Sequence, residues 1–565
     1  MDSERDSQPA SPQKEHATEP SKEVSKMAKM TARLRSKWSY FLSLFGLSLG
    51  FFFYGYTLVG FNTIVEQLTE VFEWSESDKT LYSTIHSCMI TGGNLVGSLA
   101  GPSISYRAGR HRFIIATVLV SALGVILTGI KNMPVIIIGR FIANLGSGVF
   151  QAVAPVIAFE MSPLEAHTFS SAFIPYQISV GVFISFLIGE LPSSGSHLGE
   201  YWRFASLFPL IPCFIMILIL VFVIKGDSGK FIYVKYKDEA RAKKALERVY
   251  KPEEVEGELE AIKEEAKTVI PSESITQLFR RYKKPIGLGF AINFAQIGAG
   301  LTYIALYSNI MIDKIETNSG ATRHDVETTI QLFAILCGVL ELSGDSLSML
   351  WLGKLKRKTV FLVIFGLSYL ILGANWILGF ANVLSAQKYL IIFSYFTFGS
   401  GVTQYLYIYA PAVMSDSAFG FVTGGFWAMS LVDSIIFPIL IDSGLGINGT
   451  LVIYWVIGVI AVVYFMMAAL EVKGLSSTQI FNHFNKGSLK KIAPAKSPKG
   501  KALQTESAEK MVGDLEMRKI LGTYPSNDGL VHVKTEPYST EKDCKSSEGT
   551  GASDGTTSPP GTKIA

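Results

Sequence analysis

Glu341 and Asp345 lie four residues apart in GVLELSGDSLSMLWLG (338–353), a stretch that is otherwise apolar and long enough to form a membrane helix. Residues at that spacing share one helical face, so both carboxyls aim the same way. A charged side chain at membrane depth costs about 3 kcal/mol and marks a solute or proton path unless it is paired. Asp433, within GGFWAMSLVDSIIFPIL (424–440), is a third acid in such a run. The chemistry open to the three is transfer of a proton or attraction of a cation. The alternative is a structural network with the hydroxyls of Ser343, Ser346 and Ser434, or pairing with an Arg or Lys. His86, in another apolar run, reads as a satisfied packing histidine rather than a proton relay. The chain shows no Walker loop, nucleophile elbow or metal-spaced Cys/His set. It is therefore expected to be no enzyme, with no catalytic residue, metal site or cofactor.

The elements that must position these acids follow from composition. Hydrophobic residues make up 48% of the 565, charged residues only 17%, and mean hydropathy is +0.32, which places the chain in a bilayer. Apolar runs long enough to cross about 30 Å of hydrocarbon occur near 39–65, 80–102, 113–131, 134–158, 170–191, 203–225, 284–312, 327–352, 359–380, 386–413, 418–442 and 449–470. These predict about twelve helices, because a span must satisfy its own backbone groups. Lys and Arg crowd the segment before the first run, the loops after the second and eighth, and the long central loop, which puts both termini in the cytoplasm. The net charge of +4 belongs to these loops and gives no reason to expect nucleic acid. Residues 1–37 and 473–565 read as mostly disordered tails. The leading residues hold no apolar signal-peptide core, so the first span is expected to serve as its own targeting signal. Cys88, Cys213, Cys337 and Cys544 read as free thiols. Asn448-Gly449-Thr450 is a glycosylation sequon close to a helix start.

The central segment 227–283 divides the spans six and six, between 38–226 and 284–472. Its stretch KDEARAKKALERVYKPEEVEGELEAIKEEAKTV has helical spacing with a break at Pro252. This layout resembles the major facilitator superfamily, in which two pseudo-repeated six-helix halves rock about a midplane site. Motifs narrow the resemblance. GSLAGPSISYRAGRHR (97–112) is similar to the superfamily's loop after the second helix, and GRFIANLGSGVFQAVAPVIAFEMSP (139–163) is similar to the sugar porter signature. YWRFASLFPLIP (201–212), GDSGKFI (226–232), AQIGAGLTYIALYS (295–308) and LEVKGLSSTQI (470–480) continue the sugar porter order.

The resemblance implies an all-α major facilitator fold and a set of site residues. Arg107, Arg110, Arg140, Glu160 and Arg357 are implied as cytoplasmic gating residues whose ion pairs lock one conformation; the alternative is that they are snorkelling anchors. Departures from the sugar porter pattern are Tyr106 for an acid, His167 for Arg, Pro175 for the fifth-helix Gln, Ile297 for the second of a Gln pair, and Thr57 at the first-helix acid of proton-coupled members. The substrate site implied by what remains comprises Gln177, Gln296, Thr302, Tyr307, Gln404, Tyr405 and Trp427. If protons are coupled, Glu341, Asp345 and Asp433 are the groups expected to carry them. Acids in the eighth and eleventh helices also resemble organic-cation carriers, although the short first extracellular loop follows the sugar porters.

The expected function is a multi-pass carrier, in the plasma membrane or an internal one, that moves a small polar organic solute by alternating access. Sugars or sugar-like molecules are the leading class, with protons a possible second partner. The alternatives are a proton-coupled organic-cation or drug transporter, and a non-transporting solute sensor that signals through its C-terminal tail. Oligomeric state is left open.

Overall fold

In a computed structural model of the chain, residues 32–163, 166–190, 201–266, 275–318, 320, 323–351, 355–473, 475, 480 and 484 are described. The expected tails and Cys544 fall largely outside them.

The N-terminal half comprises α1 (Lys37–Val59), the short α2 (Val65–Phe72), α3 (Glu76–Ala108), α4 (Arg110–Thr128), α5 (Met133–Met161), α6 (His167–Glu190), α7 (Tyr201–Leu207) and α8 (Leu210–Ile219). The C-terminal half comprises α12 (Ile275–Gly298), α13 (Tyr303–Asn318), α14 (Arg323–Trp351), α15 (Arg357–Phe380), α16 (Leu384–Thr397), α17 (Tyr405–Val413), α18 (Asp416–Asp442) and α19 (Gly446–Ala468). Helix starts are written locally. Ser36 caps α1 by accepting from the Ser39 N–H, Ser75 and Asp78 close a reciprocal capping box at α3, and Asn132 caps α5 with a proline just inside the first turn, which satisfies amide groups that no preceding turn can reach.

Among the described residues, ten segments are long and apolar enough to cross a bilayer by composition alone. The second and tenth spans complete the twelve: α3 carries the buried Thr91, Asn94 and Ser98, and the tenth is broken. Large apolar side chains such as Leu370, Met467 and Phe222 face outward at 73%, 76% and 65% exposure, the inverse of a water-soluble surface and suited to lipid. The protein is an integral, multi-pass membrane protein.

The seventh and tenth spans, expected as continuous helices, are interrupted. The seventh breaks between α12 and α13 around Gly300, whose φ is +101°. The tenth passes through a π turn at Phe398–Val402, where Gly401 has φ +136°. Hydropathy sees only apolar content and misses such breaks, which are tolerated where other groups take up the freed carbonyls. Here Gln296 Nε2 donates to the Val402 carbonyl at 2.7 Å.

The cytoplasmic bridge folds as α9 (Gly229–Tyr236), α10 (Glu239–Leu246) and α11 (Pro252–Ala266), which share a small core of Ile232, Leu246, Val255 and Leu259. The segment before α1 is tied to it. Arg35 N–H donates to the Val249 carbonyl at 2.9 Å, Lys251 N–H to the Arg33 carbonyl at 3.0 Å, and Arg33 pairs with Glu254 at 2.8 Å and with Glu258. The halves meet where α3 lies against α18 and α6 against α14. Asn448, the sequon residue, sits in the first turn of α19 and accepts from Gln387 at 2.6 Å.

Candidate functional site

Three of the recognised motifs converge at the helix ends beside the central linker. Arg110, the first residue of α4, places Nη2 2.8 Å from Glu160 Oε1 and 2.7 Å from Asp416 Oδ2, with Phe231 5.0 Å beneath the guanidinium. Glu160 belongs to the N-terminal half and Asp416 opens α18 of the other, so one guanidinium joins the two. Ser228 supports the cluster by donating to Glu160 Oε2 at 2.7 Å while it caps α9, and Asp227 accepts from the His111 N–H at 2.8 Å. The C-terminal half repeats the last device: Glu471 accepts from the N–H groups of Arg357 and Lys358 at 2.9 and 3.1 Å at the start of α15. Thus Arg357 engages Glu471 through its backbone, in contrast to the expected side-chain latch. Arg107 is exposed, and its carbonyl accepts from Lys235.

Arg140 corrects the expectation for the gating set. It and Glu160 lie on α5 twenty positions apart, about 30 Å at 1.5 Å per residue, so Arg140 is near the opposite face of the membrane. Its guanidinium is buried, reaches the Thr57 carbonyl at 3.5 Å and lies over Phe61 at 5.6 Å. His86 corrects another expectation. Although it stacks on Phe61 at 4.0 Å, neither ring nitrogen has a hydrogen-bond partner.

The acid pair sits at the seam between halves. Glu341 and Asp345, 4% and 1% exposed on α14, both face Ser179 of α6. Ser179 Oγ is 3.2 Å from Glu341 Oε1 and also bonds Asp345 Oδ2, while Asp345 Oδ1 has no partner. A hydroxyl donates only one proton. For both contacts to be hydrogen bonds at once, one carboxyl must itself be protonated and donate. Asp433 is not part of this set. It lies within the C-terminal half, where it accepts from Tyr454 Oη and stands close to Thr302, with Oδ2 unbonded.

Between the halves, Tyr54 and Leu58 of α1, Ile178 and Val182 of α6, Leu301, Glu341 and Tyr395 surround a cavity of about 10 Å³, room for roughly one water. Of the predicted residues, Glu341 is in this lining. Trp427 approaches it edge-on to Tyr54 at 5.4 Å with its indole N–H unbonded. Gln296, Tyr307, Gln404 and Tyr405 have structural engagements, while Thr302 Oγ1 is buried without a partner. Gln404 accepts from Ser348 at 3.1 Å and donates to the Gly399 carbonyl at 3.3 Å, and Gln296 serves the same broken span while its Oε1 stays unbonded. Tyr307 donates to the Ser434 carbonyl at 2.7 Å, and Tyr405 donates to the Arg357 carbonyl at 3.0 Å inside an aromatic cluster with Phe361, Tyr409 and Phe465. Gln177 is buried on α6.

Sequence reasoning missed Ser179, Tyr54 and a buried relay across the seam: Tyr407 Oη donates to Gln151 Oε1 at 2.7 Å, and Gln151 Nε2 donates to Asn94 Oδ1 at 2.9 Å. The signal was present as polar residues inside apolar runs, but such residues are too many to rank without knowing which face the partner bundle.

The pattern of the family described as Sugar (and other) transporter matches residues 43–484. The chain is 23% identical over 394 residues to solute carrier family 2, facilitated glucose transporter member 2 of Bos taurus, covering 66% of this chain and 74% of the relative. It is 24% identical over 424 residues to hexose transporter 1 of Plasmodium vivax, covering 69% and 82%. Among solved structures, the proton:xylose symporter XylE bound to 6-bromo-6-deoxy-D-glucose superposes with a TM-score of 0.64 at 17% identity, covering 78% of this chain and 98% of that one. The partially occluded inward-open form of XylE from E. coli gives 0.60 at 18% identity, covering 78% and 100%. These likenesses show the major facilitator fold.

Proposed function

The chain belongs to the Sugar (and other) transporter family, and we propose that it carries a sugar or sugar-like solute across the plasma membrane by alternating access, with the Glu341–Asp345–Ser179 trio coupling that movement to protons. The observation that carries the transport reading is the family match over 43–484; supporting it, the two six-helix halves enclose a central cavity to which both contribute. At about 10 Å³ the cavity is too small for a sugar, so the halves must part to admit one. Thr403 Oγ1 in the lining, together with Gln296 Oε1 and the Trp427 indole N–H outside it, has no hydrogen-bond partner, and these are the groups that would meet hydroxyls once the cavity widens. The test is uptake by purified protein in liposomes against a panel of monosaccharides, polyols and organic cations. Saturable uptake of a sugar, competed by its epimers, is the expected result. Solute binding without flux would favour a sensor, and uptake of cations alone would overturn the sugar assignment.

In this reading Arg110 is the cytoplasmic latch. Opening toward the cytoplasm must separate Asp416 from Arg110 while Glu160 travels with it. Asp416 is half exposed, so the bond between halves contributes no more than about 1 kcal/mol. Asp416→Asn should therefore raise the cytoplasm-open population about five-fold, read as a longer distance between spin labels on the cytoplasmic ends of α3 and α18. An unchanged distance distribution would remove Asp416 from the gate.

A further inference from the structure

One buried cation of the N-terminal half, Arg140, has no counter-charge among the described residues. Arg140 is 6% exposed, yet no carboxylate lies within ion-pairing distance among the described residues, and Nε has no hydrogen-bond partner. Taking a guanidinium out of water is unfavourable unless an opposite charge or a full set of acceptors replaces the solvent. Here the acceptors amount to the Thr57 carbonyl at 3.5 Å and the face of Phe61. On Phe61 stacks His86, a second basic group with both ring nitrogens unbonded. Beside the guanidinium is a cavity of about 10 Å³ lined by Tyr56, Thr57, Thr128, Asn144 and Ser206 as well as Arg140.

The hydroxyls of Tyr56, Thr57 and Thr128 in that lining are already committed. Tyr56 donates to the Ala205 carbonyl at 2.7 Å, Thr57 reaches Asn144 Oδ1 at 3.1 Å, and Thr128 donates to the Val125 carbonyl at 2.7 Å. No acidic side chain enters the lining. Among the lining side chains the buried donor without a partner is Arg140 Nε, and the space beside it fits a body of about the size of a water.

We propose that Arg140 and this cavity form a binding site for a small monovalent anion of halide size, separate from the central cavity lined by Glu341. The anion takes the place that a carboxylate on α1 would occupy: Thr57, whose carbonyl faces Arg140, is the position from which such a carboxylate would reach it. The site is independent of which solute the carrier moves.

The test uses the full-length protein in detergent, held at constant ionic strength while gluconate is exchanged for chloride or bromide. The expected result is a saturable rise in melting temperature of about 2–4 °C with either halide. Arg140→Gln should abolish the response. Thr57→Asp should abolish it too, while melting in gluconate at or above the wild-type value, because its carboxylate supplies the missing charge. No halide response in the wild type, an equal response to halide and gluconate, or an undiminished response in Thr57→Asp would each overturn the proposal. If neither variant purifies, the wild-type selectivity for halide over gluconate decides.

Discussion

Replacing Asp345 with Asn should abolish proton-driven accumulation of the solute while leaving solute exchange across the liposome membrane intact. Ser179 stands on α6 of one half, and Glu341 and Asp345 stand on α14 of the other. Its single hydroxyl proton cannot serve both carboxylates, so both hydrogen bonds across the seam form together only when the pair carries a proton. Asn at 345 keeps a hydrogen bond to Ser179 without needing that proton, and the seam closes whether or not one is available. Coupling free energies of 1–3 kcal/mol correspond to factors of about 5–150, and a loss in that range is expected in the ratio of uptake with an inward proton gradient to uptake without one. Glu341→Gln should fall in the same direction, and the double variant should add little, since both act on one shared proton. A gradient response that survives in Asp345→Asn would take proton coupling away from this trio. Asp433→Asn provides the contrast: buried with Tyr454 and away from the seam, it should leave the gradient response unchanged.

The second large effect is on folding. At the crossing of α3 and α5, a methyl group added at Gly97 would lie 2.0 Å from the Leu145 carbonyl oxygen, and one at Gly148 would lie 2.2 Å from that of Asn94. Both obstacles are backbone, which cannot rotate aside, so the helices would have to separate along their whole contact. Close approach through small residues is a main source of helix association where lipid removes the hydrophobic drive. Gly97→Ala and Gly148→Ala should each cost about 3 kcal/mol, seen as a lower melting temperature or loss of a monodisperse peak on size exclusion. Gly366→Ala, with open space where its methyl would stand, should be neutral or stabilising by up to about 1 kcal/mol. Equal behaviour of the three variants would show that the crossing tolerates separation.

Much of the architecture was legible in residue order. The run predicted at 134–158 is α5, that at 418–442 lies within α18, and the amphipathic stretch after residue 237 forms α10 and α11. Such features follow from sums over local residues, such as apolar content along a span, i,i+4 charges and capping side chains. The pairing of Glu341 with Asp345 was legible for the same reason, since helical periodicity alone puts them on one face.

What residue order could not supply is how each helix is rotated and where along the membrane normal it meets its neighbours. That Arg110 bridges to Asp416, 306 positions away, that Ser179 rather than an Arg or Lys meets the acid pair, and that Arg140 stands unpaired near the far face while Asp433 turns into its own bundle all depend on packing between distant segments. The sequence by itself determined about twelve membrane spans, because transfer of side chains into lipid is an additive property of short segments, and its motifs gave the carrier family by resemblance. Only the tertiary structure decided which polar groups meet, because that depends on the close fit of helix surfaces.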